Sequence, residues 1–237
     1  MEFLLKKNLP RKVVLLLLMM KNVFIDPYRI SSYSQEGEDM ILRRIFEGQE
    51  TGFYVDVGAH HPKRFSNTYY FYKKGWRGIN IDAMPGSMHL FDKLRPRDYN
   101  LEMGVSLEKG NLTYFVFNES ALNSFNEELS LEREKNTDYR LLNKITVSTD
   151  RLDSILSEHI KNTPIDFMSI DVEGHEMEVL QSNNWELFRP KYILIELLNS
   201  DLDSIKADST YQFLTKIGYK LFAKTFNTYF FVEDRSS

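Results

Sequence analysis

The sequence predicts an α/β fold built on one mainly parallel sheet, with an antiparallel hairpin at its C-terminal edge. Three observations carry that expectation. Short apolar β runs alternate with helical segments, the pattern of strands joined through crossover helices. Three of these runs end in acids: Val55-Asp56-Val57-Gly58-Ala59-His60, Gly78-Ile79-Asn80-Ile81-Asp82 and Ser169-Ile170-Asp171-Val172-Glu173-Gly174-His175-Glu176. Two last β runs flank Thr225-Phe226-Asn227 closely enough to pair with each other. In an open sheet the carboxyl ends of the strands form the ligand crevice. Acids at that edge point to a nucleotide-like ligand held by its hydroxyl and amino groups, and so to an enzyme.

The elements follow in order. Ser34 is a cap for a helix over Asp39–Phe46, with Glu36 and Glu38 near its positive end. Gly52–Val57 is a short apolar β run that Gly58 ends. Asn67–Lys74 reads as a helix closed by Gly75. Gly78–Ile81 is the second strand, and Met88–Leu94 a helix stopped before Pro96. Asn100–Val105 makes a third strand and Leu112–Phe117 a fourth. Ala121–Asn143 is dense in charge and reads as a helical excursion, either a mobile cover or a solvated surface helix. Ile145–Ser148 is a strand, Asp150–Ser157 a helix, Ile165–Ile170 a buried strand, and a helix runs from about His175 to Gln181. Tyr192–Glu196 is again a buried strand, Tyr211–Ile217 a helix, and Tyr219–Ala223 with Thr228–Val232 the closing hairpin.

Composition narrows the function. The 237 residues are 42% hydrophobic and 14% aromatic, enough for one sizeable domain. A net charge of −4 supplies no broad basic field, so nucleic acid is not an expected partner. With no cysteine, disulfides, thiolate zinc sites, iron–sulfur clusters and a cysteine nucleophile are excluded, which fits a cytoplasmic protein. Residues 1–30 form an N-terminal helical extension and 31–237 the main domain. In the extension, Lys6, Lys7, Arg11 and Lys12 precede the apolar run Val13–Met20. That run falls short of the roughly 20 residues that span a bilayer. Lys21-Asn22-Val23-Phe24 offers no signal-peptide cleavage site. The expectation is a helix packed on the domain or on a partner chain; peripheral contact with an anionic membrane is the alternative.

The acids divide by context. Asp56 followed by Gly58 lets backbone approach a ligand while the carboxylate accepts from an ammonium group; an ordinary turn is the equal alternative. The fingerprint G-x-G-x-x-G is missing, because His60-His61-Pro62 follows instead, so the ligand is not expected to be a dinucleotide. Asp82 ends the next strand, near the offset where an acid accepts ribose hydroxyls. Asp171 and Glu173 are two apart, and in extended backbone they point to one side. With His175 they can hold a divalent cation, act as base and orienter, or position an ammonium. The other reading has Glu173 and Glu176 serving the helix N-terminus. His175-Glu176 is no zincin motif, since Val179 stands where the second His belongs.

The strings Ser34-Gln35-Glu36-Gly37-Glu38-Asp39, Val55–Ala59, Ser66-Asn67-Thr68, Gly75–Asp82, Leu152–Leu156, Ile165–Leu180 and Ile195-Glu196, in that order and spacing, resemble the FkbM-type methyltransferases. The resemblance implies a Rossmann-like class I fold that uses S-adenosylmethionine, most often to O-methylate sugars or secondary metabolites. By position it implies that Asp56, Gly58 and Ala59 line the methionine part of the cofactor, and that Asp82, followed by Ala83, holds the ribose. Val105 and Ser106 would border the adenine. Gln35 and Asn67 match positions at the pocket mouth, and Asp171, Glu173 and His175 face the methyl-transfer centre. This chain departs from the family in carrying Asp82-Ala83 where Glu-Pro is usual, one methylene shorter. His175 or Glu173 is the expected base, with His61 third; a Mg2+ ion on Asp171 and Glu173 is the alternative. The acceptor is expected to be a small molecule or glycan. A non-catalytic module of the same fold, binding a partner in a biosynthetic assembly, is the rival reading, and a nicotinamide enzyme the third.

Overall fold

The computed structural model describes residues 10–24, 26, 28–198 and 202–234. They divide into two units, 1–32 and 33–237. In the first, helix α1 (Arg11–Phe24) carries no acid in its first turn and exposes Val13, Leu15, Leu16 and Met19. No described helix is long and apolar enough to cross a membrane.

In the second unit, alternate strand residues face opposite ways, and the two faces carry different chemistry. On β1 (Phe53–Val57), β2 (Arg77–Asp82), β7 (Phe167–Ile170) and β8 (Tyr192–Glu196), one parity gives Val55, Val57, Ile79, Ile81, Met168, Ile170, Ile193 and Ile195 to an aliphatic core. Leu152, Ile155 and Leu156 of α6 (Leu152–His159) and Val179 and Leu180 of α7 (Glu176–Gln181) cover that face, with Leu214 of α8 (Ser209–Lys216). The other parity places Tyr54, Phe167 and Leu194 in an aromatic core with Phe46, Phe71 and Trp76. Leu42 of α2 (Glu38–Ile45) and Phe71 of α3 (Tyr69–Lys73) belong to this second layer. Each such side chain contributes about 1.5–3 kcal/mol on burial. Both faces are apolar because both are covered, as a parallel sheet requires.

The large sheet also includes β3 (Tyr99–Glu102), β9 (Tyr219–Lys224) and β10 (Thr228–Glu233), in the order β3-β2-β1-β7-β8-β10-β9. The first five strands run parallel. The last two form the antiparallel hairpin that the sequence predicts, β10 lying antiparallel to β8 as well.

Two segments differ from expectation. The strand predicted over Asn100–Val105 is two: β3 stays in the large sheet, while β4 (Gly104–Val105) joins a separate sheet of order β4-β6-β5. A Cβ on Gly104 would lie 2.5 Å from the Phe125 ring, so the chain turns at a residue with no side chain. The excursion is only partly helical. After β5 (Gly110–Phe117) come a 3-10 turn (Ser120–Leu122), α5 (Glu127–Asn136), and β6 (Leu141–Asp150), which pairs back along β5. The Met88–Leu94 helix, α4, stands as predicted.

Candidate active site

Strand register decides which acids reach the crevice. Asp56 pairs with Asn80 on one side and Ser169 on the other, and Val57 with Ile81 and Ile170. Asp82 and Asp171 therefore stand two rungs above Asp56. Glu196 stands level with Asp171, because Ile170 pairs with Ile195. Gly58 occupies this upper rung on β1's continuation with φ of 83°, and a Cβ there would lie 1.7 Å from the Asp171 carbonyl oxygen. Only glycine lets the two strand ends approach so closely.

Above this rung opens a cavity of about 280 Å³. Of the residues proposed from sequence, Gln35, Gly58, Asp82, Ala83, Val105, Asp171 and Glu173 line it. Asp56, Ala59, Ser106 and His175 do not. Asp56 is buried below, where its Oδ2 accepts from Thr68 Oγ1 at 2.7 Å. Arg95 Nη2 donates to Thr68 Oγ1 and to the Tyr54 hydroxyl, and Arg95 Nε pairs with Asp98 at 2.9 Å. Burial raises the Asp56 pKa, and the Thr68 bond opposes it. Asp56 thus belongs to a polar network under the cavity floor. Ala59 and Ser106 serve the backbone: their N–H groups donate to Ile81 and Asp150 carbonyls. His175 packs its ring against Phe125, with Nδ1 3.6 Å from Glu178, and burial lowers its pKa. His61 does not line the cavity, and its Nδ1 accepts from the N–H groups of Lys63 and Arg64. Asn67 Nδ2 donates to Ser169 Oγ, in a small recess beside the main cavity that shares Gln35, Asp171 and Glu196 with it.

Asp82 is held at its rung by backbone. Its Oδ2 accepts from His60 N–H and its Oδ1 from Met84 N–H, both at 2.9 Å. Burial raises its pKa against the pull of those donors. A carboxylate offers about four acceptor sites, so beside these two bonds and its contact with Ser87 it retains capacity for a ligand hydroxyl.

Asp171, Glu173 and Glu196 bring carboxylate oxygens within 4.8 Å of one another. Asp171 is an exposed residue that opens onto the cavity, its carboxyl crowded by the surrounding protein atoms. Loss of bulk water, then repulsion from Glu196 and Glu173, pushes its pKa well above the usual carboxylate range. Burial, then the Glu173 charge, pushes Glu196 to about 7, and its side chain hydrogen-bonds Asp171. Two carboxyls this close share one proton near neutrality. Glu173 is different: Arg133 pairs with it, both side chains 12% exposed. Glu173 has φ of 55°, a conformation costly for a side chain with a Cβ, and neighbours hold it there. Ser124 Oγ donates to its carbonyl at 2.6 Å, and Asn126 Nδ2 donates to the next carbonyl, that of Gly174, at 3.0 Å. Glu176 Oε1 accepts from the Gly174 N–H at 3.0 Å, in the loop that leads into α7.

These features sit on a recognisable sequence pattern. The profile of the methyltransferase FkbM domain matches residues 56–221. The chain belongs to the FkbM methyltransferase family. It therefore has the mixed, mostly parallel sheet of S-adenosylmethionine-dependent methyltransferases, and membership implies that cofactor. No curated protein matches the chain. Among solved structures, it is 9% identical to a TehB-like SAM-dependent methyltransferase from Corynebacterium glutamicum, with a TM-score of 0.43, covering 95% of this chain and 100% of that one. It is 12% identical to an O-methyltransferase from Bacillus cereus in complex with SAH, with a TM-score of 0.40, covering 99% and 96%. Both are distant likenesses.

For this FkbM-family chain the cavity adds residues that the sequence reading did not single out. Glu196 ends an apolar run as Asp82 and Asp171 do, so its signature was present. Arg133 and Tyr114 had none: Tyr114 lies in an alternating strand, and Arg133 in a charged helix. Tyr114 also lines the cavity, where burial and the nearby Asp82 hold its phenol neutral.

Proposed function

We propose that this protein transfers the methyl group of S-adenosylmethionine to a hydroxyl oxygen of a sugar, glycan or secondary-metabolite acceptor. The observation that supports it is the Asp171–Glu196 pair, set at the cavity floor beside the walled-in Asp82. Bound S-adenosylmethionine supplies a methyl group already activated on a cationic sulfonium. The residues suit such a group: five carboxylates line the cavity, and Asp82 retains acceptor capacity for a ribose hydroxyl.

A sugar hydroxyl is a poor nucleophile until its proton leaves. The pair carries one negative charge near neutrality, and its ionised member, Glu196 or Asp171, takes that proton as the acceptor oxygen forms its new bond. Arg133 keeps Glu173 compensated, so Glu173 shapes the site without being the base. Alignment of the reactants does much of the remaining work. The three carboxyls could hold a divalent cation, but this mechanism needs no Mg2+, since Arg133 is already the counter-ion of Glu173 and the ionised member of the pair takes the proton. Turnover that survives EDTA and dialysis supports this; loss restored by Mg2+ contradicts it.

The direct test is a methyl-transfer screen over nucleotide sugars, glycans and small phenols, read by mass spectrometry. The expected product carries its methyl on oxygen and is lost in Glu196→Gln. A product methylated on nitrogen or carbon, or undiminished turnover in that variant, overturns the proposal. The rival, a non-catalytic module, gives no reason for open carboxylates on a cavity floor.

The N-terminal helix adds a location. Residues 1–24 carry five basic side chains and one acidic, in a chain of net charge −4. With Val13, Leu15, Leu16 and Met19 exposed beside Arg11 and Lys12, α1 is suited to rest on an anionic membrane surface of the cytoplasm.

A further inference from the structure

Arg64 brings a basic stretch of chain to the lip of the acid-lined cavity, where Glu119 faces it. Between Asp56 and Asp82 the sequence has no acidic residue and five basic ones. Three of these, Lys63, Arg64 and Lys73, join a set of aromatic rings into one surface. Arg64 lines the cavity, with its guanidinium carbon 4.3 Å from the centre of the Phe65 ring. Lys63 Nζ lies 5.6 Å from the Tyr69 ring, which meets Tyr33 edge-on at 4.8 Å. Lys73 Nζ completes the row, donating to the Tyr33 hydroxyl at 2.8 Å. Arg64 faces Glu119 at 3.4 Å across a half-exposed gap. Among the described residues no carboxylate pairs with Lys63 or Lys73.

Phe65 marks where the lip meets the cavity. It lines both the cavity and the adjoining recess, is 39% exposed, and has φ of 56°. That conformation is costly for a bulky residue, and such strain concentrates at ligand clamps. Its ring, stacked 6.4 Å from His60, is a face on which a sugar or base can lie.

We infer that the acceptor carries a phosphate group, bound on the Lys63–Arg64–Lys73 lip while its hydroxyl reaches down to Asp171 and Glu196. This deepens the transferase reading and rests on it. The charge pattern orients such a molecule: floor carboxylates repel the phosphate and admit the neutral hydroxyl end, while the lip attracts the phosphate. A sugar monophosphate and a nucleoside diphosphate sugar share this chemistry.

The test is calorimetric titration, with and without S-adenosylhomocysteine, using inorganic pyrophosphate, glucose 1-phosphate and glucose as probes. Pyrophosphate and glucose 1-phosphate are expected to bind, and glucose at least about tenfold more weakly, the size of one charge-assisted contact. Tighter binding of pyrophosphate than of glucose 1-phosphate points to the diphosphate source, and the reverse to the monophosphate. The double variant Lys63→Glu/Lys73→Glu should weaken pyrophosphate binding by about tenfold or more. Its control, Lys161→Glu/Lys216→Glu, makes the same change in net charge on other exposed lysines and should leave binding within about twofold. Absence of pyrophosphate binding, or equal losses in the two double variants, overturns the inference. S-adenosylhomocysteine should bind all three proteins alike; its failure to bind the unaltered protein strikes the transferase reading instead.

Discussion

Two rungs of the sheet separate an acid under the floor from the acids on it, and substitutions should tell them apart. Asp82→Ala should weaken S-adenosylhomocysteine binding by about 10–100-fold, the cost of removing an acceptor from buried hydroxyls. Asp56→Ala should leave that affinity within about threefold, yet lower stability by about 1–3 kcal/mol, because the buried Thr68 hydroxyl loses its acceptor. Calorimetry and chemical denaturation read the two effects separately. Glu196→Gln should reduce kcat by about 10²–10⁴-fold while donor binding persists. In the unaltered protein the rate should rise as pH climbs through about 7, where Glu196 ionises, and that limb should vanish in the variant. The acids themselves were legible in the sequence, each ending an apolar run. Their heights were not, because height depends on which residue of β1 pairs with which of β2 and β7. His175 shows the same limit: its position in the string suggested a base, and packing against Phe125 turned it away from the cavity.

At the scale of elements, the charged segment between β5 and β6 is fastened to the loop after β7. Ser124, Asn126 and Arg133 reach across to Glu173 and Gly174, and Leu122 and Phe125 of the same segment line the cavity. Composition alone could not choose between a mobile cover and a solvated face, since the contacts join residues some 40 apart in the chain. They make it a wall. Arg133→Met should leave Glu173 with an uncompensated, nearly buried charge, a change that costs about 3–5 kcal/mol when such a pair is broken. Faster amide hydrogen exchange across residues 171–175, with partial recovery in Arg133→Lys, is the expected result. Unchanged exchange would show that the backbone bonds from Ser124 and Asn126 suffice.

For the whole molecule, the alternation of strands and helices was readable because both sheet faces are apolar and the crossovers are short. The second sheet was not, since β4 is two residues long and its partner β6 lies far along the chain. The cluster around the floor also sets a pH dependence of stability. Burial raises Glu176 to about 7 from an unfolded value near 4.5, and Asp171 and Glu196 rise in the same direction. An acid whose folded pKa is raised contributes stability below its unfolded pKa and loses it as pH rises through the folded one. Tm should therefore fall between about pH 5 and pH 8, and Glu176→Gln should flatten that fall, worth on the order of 2 kcal/mol. In the N-terminal unit, flotation with anionic vesicles should retain the full chain and release a version beginning at Asp26; equal behaviour removes the membrane role of α1. The central claim is that the acid-lined cavity holds S-adenosylmethionine. One calorimetric titration of the unaltered protein with S-adenosylhomocysteine and with NAD tests it most directly. The account predicts saturable binding of S-adenosylhomocysteine and none of NAD; absence of the first, or binding of NAD alone, would contradict it.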